Sequence, residues 1–199
     1  MSSKEFFKAL FNPFEDFTSR TLLIIGGSGF ILMSFLSYAL HFINDGIIQL
    51  HTSEPKTYWS CLINGGINTT SLSLLLFGYG KIAYRRTRVQ DVLIAVLIAQ
   101  LALLLIVAVT MNSLVLGVSN DILKEIQNGN IDYLRLETGN LILLSISGLF
   151  GISLLYYFFH LLVIGMKIAI NSKKLVHTIV IVLLTLILNM ILMICYPYL

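Results

Sequence analysis

Apolar residues run along this chain in five long blocks, and the polar stretches between them set where each block ends. The blocks cover about residues 21–42, 58–80, 92–112, 141–166 and 175–195, each near the ~20 residues a helix needs to cross a bilayer core. The first carries Gly26-Gly27-Ser28-Gly29, then Ser34 and Ser37, a small-residue surface suited to close helix approach. The second is polar along one line. Ser60, Asn64, Asn68 and Ser71 are spaced by four, four and three, so they share one helical face. Amides facing lipid would lack partners, so that face is expected against other helices or a wet crevice. The third block is nearly all Leu, Ile, Val and Ala with Gln100 at mid-depth, and Asp91 is placed as its N-cap. The fourth has Ser147 and Gly151 in small-xxx-small spacing, and the fifth leads into Tyr196, Pro197 and Tyr198.

The intervening segments have their own patterns. Residues 1–20 put Phe6, Phe7, Leu10, Phe11, Phe14 and Phe17 at helical spacing, with Lys4, Lys8, Glu15 and Asp16 between them. This predicts an interfacial amphipathic element, broken or restarted at Pro13, that lies on the membrane surface or docks on a helical partner. Residues 44–57 read as a polar loop. Residues 113–139 read as a longer loop, in which Ser119-Asn120-Asp121 caps a short helix with Ile122, Leu123 and Ile126 on one face.

Composition fixes the class. The 199 residues are 57% hydrophobic and only 12% charged, against about 25% charged in a soluble domain; the mean hydropathy is +0.88. The expected fold is an all-α polytopic membrane protein: a bundle of five transmembrane helices over residues 21–199, behind an N-terminal segment at 1–20. No cleavable leader is expected, since residues 1–20 are mixed in charge and the first apolar block is too long for one.

Charge adds orientation. The hairpin from Gly78 to Asp91 holds Lys81, Arg85, Arg86 and Arg88. With the N-terminus and the 167–174 loop on its side, that side collects ten of the 13 cations: Lys4, Lys8, Arg20, Lys81, Arg85, Arg86, Arg88, Lys167, Lys173 and Lys174. Lys56, Lys124 and Arg135 fall opposite, with six of the 10 acids. The positive-inside rule then predicts a cytoplasmic N-terminus and an external C-terminus in the cell inner membrane. Arg85, Arg86, Arg88, Lys173 and Lys174 are candidate contacts for anionic lipid headgroups or a protein partner. The cations sit in loops rather than on one face of an element, so no nucleic-acid partner is expected.

Candidate chemistry is sparse. Ser28 within the Gly-x-Ser-Gly string could act as a nucleophile only with a histidine in reach, and His160 and His177 lie toward the same side. The same string also suits close helix packing. His41, His51, His160 and His177 show no i, i+3 or i+4 pairing, so neither metal nor other cofactor is expected. Cys61 and Cys195 are too few for a disulfide framework, although both sit toward one end of their blocks, where a bridge is conceivable. No Asp, Glu, Lys or Arg lies deep in any block, which removes the groups that proton-coupled carriers use. Asn64, Asn68, Gln100, Asn112 and Asn189 could line a path for a neutral solute or bond helices together.

Two stretches resemble the YIP family of five-span membrane proteins, in its bacterial branch. They are Leu10-Phe11-Asn12-Pro13-Phe14-Glu15-Asp16-Phe17 before the first span, and Phe77-Gly78-Tyr79-Gly80 running into Arg88-Val89-Gln90-Asp91-Val92-Leu93. The five-span layout is similar too. The resemblance implies a non-enzymatic role in membrane organisation or trafficking, with other membrane proteins or a second copy as partners. The Asp-Leu-Tyr-Gly-Pro element of eukaryotic members is missing, so Rab binding is not carried over. Three readings follow: a scaffold or partner-binding protein; a small-solute permease or channel using the polar stripe; and an intramembrane serine hydrolase built on Ser28.

Overall fold

The computed structural model describes residues 10–52, 57–127 and 138–195. In chain order the elements are α1 (Pro13–Asp16), α2 (Ser19–Ala39), β1 (Phe42–Asn44), β2 (Leu50–Thr52), α3 (Tyr58–Ala83), α4 (Val89–Thr110), α5 (Ser113–Gln127), α6 (Thr138–Ala169) and α7 (Leu175–Cys195). Five of them, α2, α3, α4, α6 and α7, are long and apolar enough to cross a membrane. The protein is therefore a multi-pass membrane protein by length and composition.

Helix ends follow local chemistry. Thr18 and Thr57 cap α2 and α3, their hydroxyls accepting from the backbone N–H of Thr21 and Ser60. The hydroxyl of Ser60 lies 3.0 Å from that of Thr57. Asn112 accepts from the N–H of Val115 at 3.0 Å and so starts α5. The expected start at Ser119-Asn120-Asp121 is thus corrected: the helix begins six residues earlier, because a side-chain acceptor is already in place there. The expected N-cap at Asp91 is corrected too. Arg88 is the N-cap of α4, and Asp91 lies in its first turn, where its charge still favours the helix dipole. At the far end of α6, Asn171 adopts φ 48°, and the N–H of Ser172 returns to the carbonyl of Lys167 at 3.0 Å, closing the helix.

The purely helical expectation and the polar loop at 44–57 need one revision. β1 and β2 form a two-stranded antiparallel hairpin, with Phe42 opposite Thr52 and Asn44 opposite Leu50. The first span ends at Ala39 rather than at 42 because the chain turns there into β1.

α4 is the hub. More than half of its most apolar stretch, 56%, is buried inside the protein, against 11% for α6. Lipid tails are as apolar as leucine, so helices in a bilayer associate by close packing rather than by hydrophobic exclusion. The seam of α4 accordingly alternates small and branched side chains: Val92, Ala95, Val96, Ala99, Ala102, Leu103 and Val107 are all buried. Its neighbours answer with glycine. A Cβ added at Gly26 of α2 would fall 2.7 Å from Cβ of Leu97, and one at Gly165 of α6 would fall 2.6 Å from Cβ of Ala95. The glycine string of the first span is thus helix packing at Gly26 and Gly29, while Gly27 meets nothing.

The N-terminal stretch docks against α6 over its described part. Pro13 is buried, and the ring of Phe14 reaches the space over Gly165. The Tyr157 hydroxyl donates to the carbonyl of Leu10 at 2.7 Å, and Nε2 of His160 lies 3.2 Å from the carbonyl of Phe11. Leu10, Phe11 and Phe17 are exposed. Phe6 and Phe7 lie outside the described residues.

Because backbone and side-chain atoms of Ala95 both crowd Gly165, Gly165→Val is expected to destabilise the protein by about 1–3 kcal/mol. Gly148→Val, with nothing within 4 Å, should stay within about 0.5 kcal/mol of the parent. Thermal unfolding in detergent compares the two, and equal melting would refute close packing at Gly165.

Candidate functional site

The polar line of α3 turns inward. Asn64 is 2% exposed and Asn68 3%. Ser60 and Ser71 are only half-buried. The buried face steps through Cys61, Asn64, Asn68, Leu72, Leu76 and Gly80. Beyond Asn64 that line advances by four residues each time, so it passes Ser71 and takes Leu72 instead.

Among the described residues, Asn68 bonds to the hairpin rather than to another helix. Both protons of its amide nitrogen go to backbone carbonyls of the hairpin loop, Asn44 at 3.2 Å and Gly46 at 2.7 Å. From the opposite side, Oδ1 of Asn189 on α7 accepts from the N–H of Ile47 at 2.8 Å and of Ile48 at 3.1 Å. Two helix amides therefore hold a five-residue piece of the hairpin, residues 44–48, from its donor and acceptor sides at once. Gly46 makes that approach possible, since a Cβ there would lie 2.6 Å from Oδ1 of Asn189. Ile47 and Phe42 are buried in the core beneath it, and the Ser37 hydroxyl donates to the carbonyl of Phe42.

Gln100 does bond helix to helix. Its amide nitrogen donates to the hydroxyl of Thr69 at 2.9 Å, and that hydroxyl in turn lies 2.8 Å from the carbonyl of Gly65. Between these groups is a cavity of about 30 Å³, lined on its polar side by Ser34, Ser37, Asn64, Asn68, Thr69 and Gln100.

The basic residues occupy the other end of the helices. Arg85, Arg86, Arg88, Lys173 and Lys174 are all exposed, and among the described residues no acidic side chain pairs with them. Lys81 is drawn into the turn, donating to the carbonyl of Arg85 at 3.1 Å and lying 5.3 Å over the ring of Phe77. Thr87, buried in the turn, closes it with its hydroxyl 2.7 Å from the carbonyl of Tyr84. The hydroxyl of Tyr79 bonds Nδ1 of His177, tying the end of α3 to the start of α7, so the 85–88 turn and the 171–174 loop share one end.

Compared with known protein families, curated proteins and solved structures, the chain has no significant match.

The remaining candidates are dispersed. Ser28 is exposed on α2 and its hydroxyl donates to the carbonyl of Ile25 at 2.9 Å. His160 and His177 are engaged by Phe11 and Tyr79 instead. His51 lies 3.9 Å from Asp45 at the hairpin. Cys61 is buried and Cys195 exposed, and both are free thiols. Asn189 is the residue that sequence pattern alone undervalued. The signal for it was Asn44-Asp45-Gly46, a turn tripeptide set between Phe42-Ile43 and Ile47-Ile48, which marks a hairpin carrying apolar side chains.

Removing the shared acceptor in Asn189→Leu leaves the partly buried N–H groups of Ile47 and Ile48 without that partner. The expected cost is about 1–3 kcal/mol. Amide exchange at Ile47 and Ile48 should accelerate well beyond that at Val96 in the core of α4. Ser71→Ala, by contrast, should stay within about 0.5 kcal/mol of the parent. Unchanged protection of Ile47 in Asn189→Leu would show that the loop is held by other contacts.

Proposed function

We propose that the protein is a non-enzymatic scaffold or partner-binding subunit of the cell inner membrane. Its five helices form a bundle with the N-terminus cytoplasmic and the C-terminus outside. The observation that carries this reading is the split character of α6. All of its buried residues lie between Phe158 and Ala169. From Thr138 to Tyr157 none is buried, and Leu141, Ile146, Leu149, Phe150, Ile152 and Tyr156 are all at least 48% exposed. That half also carries Ser145, Ser147, Gly148, Gly151 and Ser153. Gly148 and Gly151 have open space where a Cβ would stand. Small and hydroxyl residues let a neighbouring helix approach closely and bond across the contact. A helix half of this composition is suited to another membrane protein or a second copy of this chain.

The resemblance to the YIP family supports the same class of role. The basic end complements it: Arg85, Arg86, Arg88, Lys173 and Lys174, exposed and unpaired by acids among the described residues, suit anionic headgroups. A second reading, a permease for a small uncharged solute, is favoured by the polar cavity beside Asn64 and Asn68.

Affinity capture of the full chain from native nanodiscs is expected to retain a membrane protein or a second copy. Gly148→Leu with Gly151→Leu should release that partner while leaving the melting temperature unchanged. A chain that is captured alone, before and after substitution, would refute the scaffold reading. Flux of a small uncharged solute into proteoliposomes, abolished in an Asn64→Ala, Asn68→Ala variant, would establish the permease instead.

A further inference from the structure

The cavity beneath the hairpin has walls with an unbalanced set of hydrogen-bonding groups. Asn68 uses both amide protons on Asn44 and Gly46, yet its Oδ1 is buried and accepts from no described donor. The hydroxyl of Ser34 donates to the carbonyl of Phe30 at 3.0 Å, and that of Ser37 to Phe42. The Ser34 and Ser37 hydroxyls turn their protons onto backbone carbonyls, so their oxygens remain as acceptors, whereas that of Thr69 already accepts from Nε2 of Gln100 at 2.9 Å. Oδ1 of Asn68 is thus a buried acceptor that a donor inside the cavity would satisfy.

Size and charge narrow the occupant. About 30 Å³ of cavity suits roughly two water molecules, since each needs ~10–15 Å³ on this measure and two to four polar partners. Among the described residues no ionised side chain lines the space, and Met33, Ile43, Ile47 and Leu103 contribute apolar wall. A cation would be buried without a counter-charge, at a cost that neutral amides and hydroxyls do not offset. An uncharged donor fits both conditions.

We propose that this cavity is an internal water site, in which bound water donates to Oδ1 of Asn68 and bridges it to the hydroxyls of α2. The hairpin covers the site and Asn68 belongs to both. The same amide that anchors the loop through its nitrogen holds the water through its oxygen.

Radiolytic hydroxyl labelling of the full chain in nanodiscs, read by mass spectrometry, tests the site, because radicals form from water beside the side chain they oxidise. Met33 and Cys61 line the cavity although they are only 9% and 6% exposed. Met166 is fully buried in the apolar core, and Met190 lies exposed on α7. Met33 and Cys61 are expected to oxidise at clearly measurable rates while Met166 and Met190 do not. Ser34→Val, which fills the cavity and leaves both amide bonds of Asn68 intact, should bring Met33 down to the rate of Met166. Asn68→Leu should do the same, and the Ser34 variant keeps the test valid if that protein fails to fold. Met33 labelling no faster than Met166 in the parent, or unchanged in Ser34→Val, would overturn the proposal.

Discussion

A stretch of non-helical backbone among membrane helices must have every N–H and C=O satisfied from within the protein, because hydrocarbon offers no partner. The loop at residues 44–48 meets that condition through two asparagines. Asn68 stands ten residues into α3, about 15 Å along the helix axis, so the loop it holds reaches well below the helix end. Asn189 stands six residues before the end of α7, about 9 Å in. Neither position would tolerate an unpaired amide, and the loop would not tolerate losing either. The hairpin, the cavity beneath it and the polar line of α3 are one arrangement, set by this mutual need.

The hub role of α4 arises from a different limit. With no exclusion of water to drive helices together inside a bilayer, contact has to come from shape. Alanine at 95, 99 and 102 keeps the surface of α4 low, and Gly26, Gly29 and Gly165 let backbones settle against it. Phe14 then fills the notch beside Gly165. The N-terminal stretch is thereby fixed to the same crossing that orders α2 and α6.

Much of this was legible in the order of residues. The five blocks, the second block's inward polar face and the glycine contact in the first block all follow from hydropathy and spacing, since each is a property of a single helix. What escaped is what depends on two elements meeting. Ser71 satisfies the spacing rule as well as Asn68 does, yet the contact line of α3 runs past it to Leu72, because neighbouring helices rather than α3 alone decide which residue is covered. Asp91 looks like a cap, but the turn is already closed by Thr87 and α4 starts three residues sooner. Asn189 stands by itself in an apolar helix, and only the loop of another segment gives it a purpose.

The placement of the polar groups also separates the two ends of the molecule by kind. Beneath the hairpin the amides of Asn68, Gln100 and Asn189 are neutral, at least half-buried and engaged with the chain around them, which suits permanence, since breaking any one strands its partner. At the opposite end Arg85, Arg86, Arg88, Lys173 and Lys174 are exposed, and none is held by an acid among the described residues. Interactions with exposed charges are weak singly and screened by salt, so they suit contacts that are made and released. A helix such as α6, 32 residues long and about 48 Å against a hydrocarbon core of ~30 Å, joins these regions. Its buried part, Phe158–Ala169, leads to the basic end, and its uncovered part to the hairpin end. Its open small-residue surface is thus carried on a rigid rod whose other end is clamped against α4 at Gly165, so anything seated there would be held in fixed register with the interior.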